Sequence, residues 1–298
     1  METYLKIVII FSNIVTGIAY SSCFVSQSFI NKKSFRNTVS SYSLCDHTDL
    51  RRIKTSYTSI LKSFDNDDIA TINTSNNAGL NFISLFAIGS VIGPLVDALH
   101  NKVLLQYDIL PITLPFDLKT SLLIPPLLGI TYVCLGIIFP SILSSIFPDK
   151  LTEMKPLLNI TISPIQKALL AIISTSFIIK LSGILYLTIP SITSIYLILT
   201  SLVLLQWKAL DGSYVSLILA IVVSFVGPIA EIPFMKLGAW HYLNPDYWPL
   251  SLLASSLGPG TGADWAGLSL ITGPCYFAVT TDAITLSNSF KAMRSNSS

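Results

Sequence analysis

Between residues 80 and 286 the chain repeats one pattern six times: a long apolar run, then a short polar break. The runs fall at about 80–99, 121–147, 163–184, 187–207, 213–237 and 264–286. A continuous apolar stretch of about 20 residues, coiled as an α-helix, matches the hydrocarbon thickness of a bilayer. Barrel strands would instead alternate polar and apolar residues over about 10 positions. The charge content agrees with a lipid surrounding. Only 11% of the 298 residues are Asp, Glu, Lys or Arg, and 51% are hydrophobic, whereas a soluble domain carries about 25% charged residues. The sequence thus predicts an all-α polytopic membrane protein, a bundle of six transmembrane helices with proline kinks over residues 79–287.

Pro94, Pro125, Pro126, Pro140, Pro228 and Pro274 fall within the runs. Each lacks an N–H and is expected to kink its helix. The freed carbonyls then need partners on neighbouring helices, because lipid offers none. Gly89, Gly93, Gly129, Gly136 and Gly273 are small enough to let helices approach closely.

Lysine placement orients the bundle. Lys62, Lys150, Lys155, Lys208, Lys291 and Arg294, with Lys167 just inside a helix, fall to one face, the inner one, together with both ends of the bundle. Lys102, Lys119, Lys180 and Lys236 fall to the other, outer face. Trp240, Trp248 and Trp265 lie at the outer interface, as an aromatic belt would. A net charge of +2 without a basic block gives no footprint for nucleic acid.

Ahead of the bundle, residues 1–21 read as a signal peptide: an apolar run over 7–19, then Ala19 and Ser21 as small residues before a cut. Residues 22–78 begin basic, Ser-rich and acid-poor, like a transit peptide, and continue into a polar linker. A signal peptide followed by a transit peptide resembles the two-part leader of algae with secondary plastids. The expected address is a plastid membrane, with the endoplasmic reticulum as the alternative. Residues 288–298 read as a polar tail.

Ionisable side chains within or beside lipid are costly, so each is a candidate for function. Asp97 and His100 close the first run; Glu231 lies near the end of the fifth, with His241 in the loop beyond it. The topology puts all four at the outer face. A shielded carboxylate sharing a proton with a nearby His could serve an integral membrane enzyme acting on an isoprenoid or lipid. Interfacial snorkelling and capping are the plainer roles. Asp264 is expected to cap the sixth run. Asp282 lies inside that run, where a buried polar contact and a functional role are both open. Lys180 could pair with a carboxylate or mark an interface. No phosphate-binding loop, zinc motif or nucleophile elbow occurs, so neither a metal nor a cofactor is expected.

Several ordered segments carry a resemblance. Pro125-Pro126-x-x-Gly129 opens the second run, with Gly136 and Pro140 following. Trp207-x-x-x-Asp211-x-Ser213 joins the fourth and fifth runs. Gly238-Ala-Trp-His-Tyr-Leu-Asn-Pro-Asp246 follows the fifth, and Trp265 and Gly273 fall within the sixth. In this order, over residues 82–286, the chain resembles the Insig (insulin-induced gene) family of six-helix, sterol-responsive membrane proteins. The resemblance implies that Asp211 contacts another membrane protein and that a cleft between helices holds an apolar ligand such as a sterol or an isoprenoid. Pro125, Pro126, Ser194 and Asp282 are the candidates for that ligand. The chain departs from the family at Ser194 and Ile198, where the family has Gln and Thr. It also departs in an insertion at 251–263 and in the stretch around Asp282. The expected function is that of a non-enzymatic, lipid-responsive or partner-binding regulator, with the membrane enzyme as alternative.

Overall fold

A computed structural model describes residues 76–146, 162–252 and 255–295. The leader before residue 76 and the loop lysines 150 and 155 lie outside these residues. Six helices follow one another: α1 (Asn76–Leu104), α2 (Ile124–Ile146), α3 (Pro164–Thr188), α4 (Ile192–Leu210), α5 (Tyr214–Lys236) and α6 (Thr272–Ser295). The first five are long and apolar enough to cross a membrane.

Local chemistry sets the helix starts. Ser163 caps α3 by accepting from the Gln166 N–H, and the Gln166 side chain accepts from the Ser163 N–H in return. Ser191 and Ser213 cap α4 and α5 by accepting from the N–H groups of Ser194 and Ser216, without the return bond. Pro125 and Pro126 differ from expectation. They sit in the first turn of α2, where the missing N–H would have had no partner, so they start the helix rather than kink it. Pro274 likewise falls in the first turn of α6. Pro94 and Pro228 are interior to α1 and α5. Before Pro140, α2 widens into one π-helical turn, Cys134–Ile138, a common way to relieve a helix whose hydrogen-bond ladder is interrupted.

The sixth helix explains its own composition. It packs against α5, α3, α4 and the π-turn of α2, and nearly every residue from Thr272 to Ser289 is buried. Its neighbours are protein rather than lipid, so Thr280, Thr281, Asp282, Thr285, Ser287 and Ser289 are tolerated along its length. The lipid-facing stripe lies elsewhere, for example along Leu169, Ile173, Phe177 and Ile184 of α3, one face at helical spacing. Lys180 lies on that exposed stripe, without a carboxylate partner among the described residues.

The sixth run was expected to begin at Asp264. The helix starts eight residues later, and Asp264 heads a short 3₁₀ turn, Asp264–Ala266, so its position is not the N-cap of α6. Gly267 sits against Pro245 and Trp248, and Leu268 bridges to Tyr247. These contacts hold the apolar residues before Thr272 as a packed loop. At the other end, α6 runs into the expected polar tail, to Ser295, with Arg294 donating to Ser84 Oγ at 3.1 Å.

Two short strand pairs lie outside the helices. The first loop supplies β1 (Leu105–Tyr107), then a hairpin of β2 (Pro111–Leu114) and β3 (Leu118–Ser121). The fifth loop supplies β4 (Trp240–Tyr242), antiparallel to β1 with Tyr107 opposite Trp240 and Leu105 opposite Tyr242. That pairing ties the end of α1 to the end of α5.

Candidate functional site

The β1–β4 pair brings the outer-face candidates together. Glu231, near the end of α5, accepts three hydrogen bonds. Tyr276 of α6 donates to Oε1 at 2.7 Å. Tyr242 and Trp240 of β4 donate to Oε2 at 2.9 and 3.2 Å. Beside it, Asp97 of α1 accepts on Oδ2 from Tyr107 at 2.7 Å and from Asn101 at 2.6 Å. Asn101 also donates to the Tyr107 hydroxyl at 2.9 Å, closing a three-membered ring of polar groups. The rings of Tyr107 and Trp240 meet edge to face with centroids 6.1 Å apart. One continuous cluster thus spans α1, β1, β4, α5 and α6.

Electrostatics bind the two halves. Burial, then the charge of Asp97, then more weakly that of Glu231 push the Tyr107 phenol well above its ordinary value. Burial and Glu231 do the same to Tyr242. Both phenols therefore stay protonated, as donors to their carboxylates.

The histidines take other partners. His100 Nδ1 lies 3.1 Å from Ser182 Oγ on α3, and its Nε2 is 3.9 Å from Asp97 Oδ1. Cys275 Sγ lies 3.9 Å from the same Nδ1. His241 pairs with Asp108 in the first loop, Nδ1 to Oδ2 at 2.7 Å, half-exposed. Neither His hydrogen-bonds to Glu231, so the shared proton expected between them has no geometry here. One end of the bundle does hold all four expected residues, but as two aromatic-clamped carboxylates and two separate His pairs. Trp240 is likewise a buried donor rather than a member of an interfacial belt. Trp265 is stacked under Lys236, with Nζ 5.3 Å from the ring centroid.

The remaining candidates are spread out. Asp211 lies in the α4–α5 turn, with Gly212 at a φ of 65°, a left-handed position that suits glycine. Asp211 Oδ2 accepts from the Ser213 N–H at 3.0 Å and from the hydroxyls of Ser213 and Ser216. Its Oδ1 faces Asn288 at 3.4 Å. Ser194 is exposed in the first turn of α4, its hydroxyl on Ser191. Pro125 and Pro126 sit at the start of α2. Asp282 is buried at mid-bundle and accepts from the Tyr132 hydroxyl at 2.8 Å. These four ligand candidates belong to three separate regions. Among the described residues no three His, Cys, Asp or Glu side chains converge as a metal site.

Sequence reasoning missed Tyr107, Asn101, Ser182 and Tyr276. Asn101 was within reach, because it lies one turn from Asp97 on the same helix face. The others come from elements far apart in the chain, and only tertiary pairing reveals them.

Six packed helices, a buried polar sixth helix and an aromatic-clamped acidic cluster at one end define a polytopic α-helical membrane protein. No family model matches the chain, and no curated protein does. Among solved structures it is similar to a mycobacterial Insig homolog, MvINS from Mycobacterium vanbaalenii. The TM-score is 0.50 at 20% identity over 72% of this chain and 95% of that one. A cross-linked trimer of a cysteine variant of MvINS matches equally well, with a TM-score of 0.50 at 19% identity and the same coverage. The fold is Insig-like, and the protein is an integral membrane protein.

Proposed function

We propose that this chain is a non-enzymatic membrane regulator of the Insig kind, which takes an apolar lipid such as a sterol or an isoprenoid and contacts a second membrane protein. The observation that carries this reading is the state of Glu231. Its carboxylate accepts from three aromatic donors and reaches neither histidine. A general base has to be within hydrogen-bond reach of the proton it takes. Here the acids and the imidazoles hold one another and the loops in place, which suits a scaffold better than an enzyme. Asp211, whose Oδ2 is saturated from within the chain, sets the shape of the turn that would meet a partner. The leader supports a plastid membrane as the address, with the endoplasmic reticulum as the alternative.

The test has two arms. The protein, purified in mild detergent, should retain a lipid identifiable by native mass spectrometry and compete it against added sterol or polyprenol. A library of lipid substrates should show no turnover. Turnover lost in Glu231→Gln would overturn the non-enzymatic reading; absence of any retained or competed lipid would overturn the ligand.

A further inference from the structure

Asp282 is 2% exposed and lies on the central helix of the bundle. One of its oxygens, Oδ2, accepts from Tyr132; the other, Oδ1, has no partner. A carboxylate oxygen buried without a partner is unfavourable and calls for one. The same helix offers more oxygens in the same condition. Thr281, Thr285 and Ser289 are buried, and their hydroxyls also bond to nothing. Elsewhere among the described helices only the Ser90 and Thr200 hydroxyls share this condition. Thr131, Ser176, Thr188, Ser201 and Thr280 all turn their hydroxyls onto their own helix carbonyls. On α6, positions 281, 282, 285 and 289 recur at three- and four-residue intervals, so they share one side of the helix.

The helix across from that side supplies a fifth oxygen. Near the outer end, Cys275 of α6 packs with Ile179 and lies beside the His100–Ser182 pair, which fixes its level on α3. Consecutive spans alternate in direction, so α3 and α6 run antiparallel. Seven residues on from Cys275 is Asp282; seven residues back from Ser182 is Thr175. The two stand at one level, two turns down the bundle. Thr175 accepts from Gln206 Nε2 of α4 at 2.7 Å, and Gln206 Oε1 is buried without a partner.

We propose that Asp282, Gln206, Thr281 and Thr285 bind a sodium-sized monovalent cation inside the bundle, with Ser289 at its inner edge. The donors are all hard oxygens: one carboxylate, one amide and hydroxyls. Soft or borderline metals call for Cys or His, which this face lacks. A calcium site gathers 6–8 oxygens, usually with several carboxylates, and here there is one. A single positive charge neutralises the single carboxylate and gives the orphaned oxygens a shared partner. Tyr132 holds the second carboxylate oxygen and so fixes the orientation of the first.

The experiment is thermal unfolding of the full chain in detergent, with sodium chloride titrated against N-methylglucamine chloride at constant ionic strength. Sodium should raise the unfolding temperature saturably, by about 4 °C once the ion is well above its dissociation constant. Potassium should give a smaller shift at equal concentration. Asp282→Asn should abolish the response, and Thr285→Val should weaken the apparent sodium affinity about tenfold while leaving the end point in place. Identical unfolding in both salts overturns the proposal from the wild type alone, even if Asp282→Asn fails to fold. A sodium response that survives in Asp282→Asn overturns it as well.

Discussion

Tyr276 of α6 donates to Glu231 of α5 at 2.7 Å, and the same carboxylate takes Tyr242 and Trp240 on its other oxygen. One acid thereby joins a transmembrane helix, the last helix and a loop strand.

Glu231→Ala should leave three donors without their acceptor. Each buried unpaired donor costs about 1–3 kcal/mol, so the loss should reach about 3 kcal/mol or more. Glu231→Gln keeps one carbonyl oxygen and should lose about half as much. Urea or thermal unfolding in detergent, followed by tryptophan emission from Trp240, checks the order of the two variants.

The phenols of Tyr107 and Tyr242 predict an alkaline limit. Both titrate above their ordinary value in the folded chain, and an unfolded phenol ionises near pH 10. Their contribution is therefore complete below pH 10, and is lost as pH rises from there through the folded values. Wild-type stability should fall steeply above pH 10. The double change Tyr107→Phe with Tyr242→Phe should flatten that fall while lowering stability at neutral pH. Phenolate absorbance should appear together with unfolding rather than before it.

Asp211 should behave as a turn-former. Asp211→Ala removes the acceptor shared by Ser213 and Ser216, and should cost about 1–2 kcal/mol, the size of a lost helix cap. Asp211→Asn keeps an oxygen in place and should cost less. If capture of a membrane partner drops in both variants alike, the carboxylate itself makes the contact. If it drops only in Asp211→Ala, the shape of the turn does.

Gly136 lies in the π-turn against α6, where an added Cβ would come 2.7 Å from the Ala283 carbonyl oxygen and 2.9 Å from Leu85. Gly136→Ala should lower stability by about 1–3 kcal/mol, as overpacking does. Gly79→Ala, at an open position, is the control and should change little.

The six helices were legible because a bilayer demands length and apolarity that no other solution satisfies, and the runs supplied both. What could not be read was azimuth. Glu231 and His241 share a membrane depth, but depth does not say which way a side chain turns, and Glu231 went to three aromatics while His241 went to Asp108. The start of α6 was misplaced because Trp265 to Ile271 is as apolar as a span; its loop form rests on Gly267 meeting Pro245 and on the Leu268 bridge to Tyr247, both distant in sequence. The strands β1 and β4 are three residues each, too short for an alternating pattern to register. The Asp211 turn was legible as a motif, since its Asp, Gly and Ser each have a local task.

The β1–β4 pairing has a mechanical side. It laces the first helix to the fifth at one end of the bundle, so neither can tilt there without breaking ladder hydrogen bonds. At the opposite end the ties are single side-chain hydrogen bonds, Arg294 to Ser84 and Asn288 to Asp211, both reaching out from α6.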